Sequence, residues 1–167
     1  MKKISIILIA GVTLVLGYAW YAARQAQLPH GTDNSVGKHQ VASGTIDLSR
    51  RNLSSISPAD LDDATTSKLD VSYNRLTGAL PAELRKLANL EVLLASDNAM
   101  TGIPAEIGQL SKLRIANFAN NKLSGLPLEI GNLTQLETLD LRGNPNLSQR
   151  DLTLIRAKIP QATILTD

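Results

Sequence analysis

Five short segments of this chain are variations on one another. They are "IDLSRRNL" from Ile46, "LDVSYNRL" from Leu69, "LLASDNAM" from Leu93, "ANFANNKL" from Ala116 and "LDLRGNPNL" from Leu139. Successive starts lie 23, 24, 23 and 23 residues apart. A period of that length constrains the fold more than composition does. It describes stacked units, none of which can bury its own apolar face alone.

The residues inside the period explain the stacking. Each segment is apolar at its first and third places, as at Leu139 and Leu141, which is the signature of a short strand with one buried face. A parallel strand from the next unit can pair beside it. The last four segments carry Asn at the sixth place: Asn74, Asn98, Asn121 and Asn144. There the chain turns and leaves backbone donors and acceptors beyond the reach of water. An amide side chain, with both a carbonyl and an NH2, can satisfy them. A structural Asn ladder is therefore expected. Three repeats are introduced by a Leu three places before the strand, at Leu90, Leu113 and Leu136.

From about Val41 to the C-terminus this pattern resembles the leucine-rich-repeat family, L-x-x-L-x-L-x-x-N-x-L. The resemblance implies an α/β solenoid, a short leucine-rich-repeat horseshoe of about five repeats plus a C-terminal cap. It further implies a parallel concave sheet and a short helical or irregular convex side. The repeats fall near 43–66, 67–89, 90–112, 113–135 and 136–147, and the cap covers 148–167.

The outer halves repeat too. "LPAELRKL", "IPAEIGQL" and "LPLEIGNL" place Pro81, Pro104 and Pro127 two residues before Glu83, Glu106 and Glu129. Pro suits the first position of a helix, where its missing N–H has no partner to lose. A carboxylate in that first turn meets the positive end of the helix dipole. Leu84, Ile107 and Ile130 are expected to point inward. Three copies in phase read as scaffold rather than as a catalytic carboxylate pair.

The end repeats depart from the pattern, as terminal units do when one side faces water. In the first, Arg51 stands at the Asn place, Asn52 comes one place late, and Asp62-Asp63 interrupts the outer half. At the other end, Ser148 with Asp151 marks a helix start. Leu152, Ile155 and Ile159 form a buried stripe and Pro160 stops it. Ala162 and Ile164, 23 residues after Leu139 and Leu141, then predict a sixth edge strand.

Ahead of the repeats, residues 4–23 carry no charge and follow Lys2 and Lys3. As a helix they would rise about 30 Å, enough to cross a bilayer core. Residues 1–24 read as a transmembrane anchor or as a cleaved signal peptide. The length of the run and the cluster of Tyr18, Trp20 and Tyr21 at its far edge favour the anchor. Gly17-Tyr18-Ala19 keeps cleavage open. The lysines place the N-terminus in the cytoplasm, so the remainder is exported. Residues 25–40 are polar, with Gly and Pro, and read as a flexible linker. His30 and His39 lie there with only Asp33 nearby, so neither a metal nor a cofactor is expected. The Asn-x-Ser/Thr triplets at Asn52, Asn132 and Asn146 arise readily in an Asn-rich repeat and carry no reading of their own.

Composition excludes further classes. Lys2, Lys3 and Arg24 account for three of the 17 Lys and Arg, leaving 14 against 15 Asp and Glu. That balance argues against nucleic acid, which selects a basic face. There is no Cys. The caps thus lack the cysteines common in extracellular animal and plant members of the family, which points to a bacterium. The expected location is its inner membrane, spanned once, with the repeats in the periplasm. Without His or Cys in the repeats, no Ser-His-Asp or Cys-His arrangement is available. The chain does not read as an enzyme, a carboxylate-dependent hydrolase being the remote alternative.

In this family the concave strand face is the usual ligand surface. Outward positions form three rows: Thr45, Lys68, Val92, Ile115 and Thr138; Asp47, Asp70, Leu94, Asn117 and Asp140; Ser49, Ser72, Ser96, Ala119 and Arg142. Val92, Leu94 and Ile115 are apolar at positions expected to face solvent, with Tyr73, Asp97 and Asn120 along one edge. An apolar patch in a polar rim suits a protein or peptide partner. The candidate contact set is Val92, Leu94, Ile115, Asn117, Tyr73, Asp70, Asp140 and Arg142, on a monomeric chain. The functional expectation is an exported, membrane-tethered recognition module. A secreted effector or adhesin is the alternative if the N-terminus is cleaved.

Overall fold

Three-residue strands recur where the apolar alternation predicts them. They are β1 (Thr45–Asp47), β2 (Lys68–Asp70), β4 (Val92–Leu94), β6 (Ile115–Asn117), β7 (Thr138–Asp140) and β8 (Thr163–Leu165). All six pair in parallel in the order β1-β2-β4-β6-β7-β8. The computed structural model describes residues 44–167. The apolar segment 4–23, the linker 25–40 and the domain boundary at 41 lie outside those residues. Among the described residues no helix is long and apolar enough to cross a membrane.

The register reproduces the rows read from sequence: Thr45, Lys68, Val92, Ile115 and Thr138 align across the sheet. Alternate residues turn inward. Leu69, Leu93, Ala116 and Leu139 form one buried layer, and Leu48, Val71, Ala95, Phe118 and Leu141 the next. Each full burial of a Leu contributes roughly 1.5–3 kcal/mol. Ala95 is the small neighbour that admits Phe118, so the layer keeps its volume while its residues change.

The Asn ladder forms as expected. The Asn121 amide NH2 donates to the carbonyls of Ala95 (3.0 Å), Phe118 (3.1 Å) and Ala119 (3.2 Å). Its Oδ1 accepts from Met100 N at 3.0 Å. Asn98 and Asn144 bridge their preceding repeats in the same way, through Leu76 N and Leu123 N. Asn74 does so at the start, its Oδ1 accepting from Arg51 N and Leu53 N. Arg51 has no repeat before it to bridge, and its guanidinium donates to Asp47 O at 2.7 Å.

The convex side consists of short 3-10 helices at Pro58–Leu61, Ala82–Lys86, Ala105–Gln109 and Leu128–Asn132. Here two expectations are corrected. Pro81, Pro104 and Pro127 precede their helices as N-caps and are not the first helical residues. The tight i to i−3 bonding explains the shift: each Pro carbonyl accepts the first turn's bond, from Leu84, Ile107 and Ile130 respectively. The first repeat also keeps its outer helix. Ser57 and Asp60 form a capping box around Pro58, and Leu61 is fully buried. The Asp62-Asp63 pair lies just past that helix, where Asp62 meets Lys86 at 2.7 Å. Asp63 accepts from the Thr65 hydroxyl and N–H, which holds its carboxyl below the ordinary value.

A second, two-stranded parallel sheet was not expected from sequence: β3 (Thr77–Gly78) beside β5 (Ala99–Met100). Its residues show too little alternation over two positions to be read as strand. At the C-terminus the cap forms as expected. Helix α1 (Gln149–Lys158) is capped by the Ser148 hydroxyl, which accepts from Asp151 N, and buries Leu152 and Ile155, with Ile159 buried just beyond its end. The last strand differs in register. Ile164 pairs with Leu139, not Leu141, so the final step is 25 residues. A ten-residue α-helix takes two more residues than a five-residue 3-10 turn. Because the strand period is two, the inward face is kept.

Candidate functional site

The concave face is best described row by row. Val92 and Ile115 are in-register partners on β4 and β6, and both are half-buried. Leu94 sits between Asp70 and Asn117. It is only 8% exposed, which corrects the expectation that it points into solvent. Strands about 4.8 Å apart leave a side chain in the middle of the sheet screened by both neighbours. Leu94 is the floor of the patch, and Val92 and Ile115 form its open surface.

The polar members of that row are engaged within their own repeats. Asp47 Oδ1 accepts from Ser49 N, Asp70 Oδ1 from Ser72 N, Asn117 Oδ1 from Ala119 N and Asp140 Oδ1 from Arg142 N. Each closes the strand end two residues on, the local competition that Asp and Asn side chains offer the backbone. The Ser72 hydroxyl donates to the same Asp70 oxygen. Arg142 grips Asp140 with Nε at 3.0 Å and Nη2 at 2.6 Å. Asp70, Asn117, Asp140 and Arg142 therefore carry structural work that the sequence reading had not assigned them. Lys68 lies 3.9 Å from Asp70. Burial pushes the Lys68 ammonium below its ordinary pKa, and the Asp70 charge partly opposes that.

Beyond the third row runs a ridge that sequence reasoning placed at the edge without recognising its backbone. Arg50, Tyr73, Asp97 and Asn120 all have φ between 55° and 57°, and Gly143 continues the column at 70°. Each immediately precedes the ladder position, where the chain must turn back sharply. Asn, Asp and Gly tolerate this left-handed region, whereas Arg and Tyr rarely adopt it. The alignment of Asp97, Asn120 and Gly143 was the available signal. Tyr73 is 50% exposed, with the Arg50 guanidinium 4.1 Å from its ring centre. Asn120 Nδ2 donates to Asp97 Oδ1 at 2.9 Å.

The convex carboxylates are placed apart from this surface. Glu83, Glu106 and Glu129 each occupy the first turn of their own 3-10 helix. Among the described residues no three His, Cys, Asp or Glu side chains come together as a metal group.

Residues 66–87 match the family model described as Leucine Rich Repeat. With the stacked parallel strands and the Asn ladder, that match decides the architecture. This is a leucine-rich-repeat fold. Solved structures agree. A leucine-rich-repeat protein of Leptospira interrogans is 36% identical over 66% of this chain and 28% of its own, with a TM-score of 0.62. The ectodomain of the Arabidopsis receptor kinase HAESA, solved with a peptide hormone ligand, is 34% identical over 67% of this chain and 19% of its own, TM-score 0.58. That of SOBIR1 from Arabidopsis thaliana is 29% identical over 70% of this chain and 65% of its own, TM-score 0.55. The chain spans less than two thirds of the length of each. Comparison with curated proteins finds no match. Leucine-rich repeats are generally binding modules rather than enzymes, and such folds commonly serve protein recognition.

Proposed function

We propose that this leucine-rich-repeat chain binds a peptide segment of another protein on its concave face, around Val92, Leu94 and Ile115. The supporting observation is the contiguity of these three residues at the centre of a sheet whose other central-row side chains are mostly polar and internally bonded. The peptide-bound HAESA ectodomain makes an extended peptide a reasonable ligand for such a surface. The uncharged run at 4–23 after Lys2 and Lys3 supports export with a retained membrane anchor, in a bacterial inner membrane with the repeats on the periplasmic side.

Selecting peptides against the full chain from a display library tests the binding reading. Bound peptide should slow amide exchange in β4 and β6. Val92→Glu with Ile115→Glu should abolish binding while leaving the circular dichroism unchanged. Undiminished binding by that variant would overturn the assignment of the face. Carbonate extraction of membranes separates the two export readings: an anchored chain stays with the bilayer, and a cleaved, secreted one is released with a shortened mass.

A further inference from the structure

Four of the five central-row positions supply an oxygen that caps the residue two places on, and the middle one does not. Asp47, Asp70, Asn117 and Asp140 each accept from the backbone N–H at i+2. Leu94 stands in the same row and has no oxygen to offer. Among the described residues, Ser96 consequently donates no hydrogen bond from either its N–H or its hydroxyl. Its counterpart Ser72 uses both on Asp70. Ser96 is only 9% exposed, so these are two donors in a mostly buried place, beside the apolar floor of Leu94. Leaving such donors unmet is unfavourable, and an incoming acceptor gains what water supplies poorly there.

The geometry points to a ligand carbonyl completing this repeat: the oxygen takes the place that Asp70 and Asn117 oxygens hold in the adjoining repeats, and bonds Ser96 N–H and Oγ–H. The inference rests on the concave-face peptide reading and specifies its chemistry. A neutral amide oxygen is preferred over a carboxylate. Asp70 pairs with Leu94 in register and Asp97 follows Ser96 in sequence, so a ligand anion would meet two like charges. An aliphatic side chain next to that carbonyl covers Val92 and Ile115. The occupant is therefore an extended peptide with a branched aliphatic residue beside the bonded carbonyl, its terminal carboxylate elsewhere.

The test uses the 15N-labelled full chain in detergent micelles. Without ligand, the Ser96 amide should exchange faster than those of Ser72 and Ala119; equal protection overturns the inference. Titration with N-acetyl-isoleucine N-methylamide should move the Ser96 amide resonance saturably, and N-acetyl-isoleucine carboxylate should bind more weakly. Comparable binding of the acid overturns the preference for a neutral carbonyl. Leu94→Asn supplies the missing internal oxygen and should abolish the Ser96 shift. Ser96→Ala, which keeps the backbone N–H, should weaken binding about five- to tenfold. If the probe moves Val92 and Ile115 but not Ser96, this inference fails and the concave-face reading stands. If neither the probe nor library-selected peptides perturb the sheet, both fail.

Discussion

Thr66 shows how one residue can break a rule its neighbours obey. Leu90, Leu113 and Leu136 fill the position three places before the strand, and all are fully buried. Thr66 holds that place in the first repeat, also at 0% exposure, and its hydroxyl has no partner among the described residues. Thr66→Val keeps the shape and removes the unmet donor. It should stabilise the fold by about 1 kcal/mol, read as a higher urea midpoint at unchanged slope. Asn121 is the opposite case, since its amide closes four backbone groups at once. Asn121→Ala should cost about 2–4 kcal/mol in the same measurement, because the groups it leaves are buried. Lys68 adds a pH dependence. Its folded pKa is lowered from 10.5 by burial, so the unfolded chain binds more protons in the interval below 10.5. The stability contribution of this group therefore rises as pH climbs through that interval. Lys68→Met should flatten the rise in urea midpoint on the alkaline side, and an unchanged slope would show that burial does not penalise the ammonium.

At the scale of elements, the convex helices pack by omitting side chains. A Cβ on Gly108 would lie 2.5 Å from the carbonyl oxygen of Glu129 in the next helix, and one on Gly131 would meet the Lys158 side chain. Arg85 occupies the equivalent place in Ala82–Lys86 and turns back to donate to Ala82 O. Gly108→Ala should then cost about 1–3 kcal/mol, because backbone cannot yield as a flexible side chain can. Gly131→Ala should cost less, since Lys158 is exposed and can move. Thermal melts of the two variants should rank in that order, and the reverse order contradicts the packing. The recurring "AEIG" was legible in sequence as scaffold. What it packs against was not, because the contact joins residues more than 20 positions apart.

For the whole molecule, stability accumulates from repeat to repeat along the stack. The C-terminal cap covers the last repeat through Leu152, Ile155 and Ile159. Ending the chain after Leu147 removes α1 and β8 together. The shortened chain should lose its sharp urea transition and bind a dye that reports exposed apolar surface. A cooperative transition of unchanged midpoint would mean that the cap only shields a stack that is already stable.

The period and its residues were enough to specify the parallel sheet, its register, the inward layers, the Asn ladder and the closing helix. Each of these depends on local alternation or on a motif repeated in phase. The tertiary structure alone decided how far each outward residue is screened. Leu94 is covered because Asp70 and Asn117 flank it across strands, and no reading of its own segment contains those neighbours. The same holds for the two extra residues before β8, which follow from the helix type chosen by the cap. It holds most clearly for Ser96. Its missing acceptor is visible only when one repeat is laid beside the next and the bond that Asp70 makes to Ser72 is absent from the middle of the sheet.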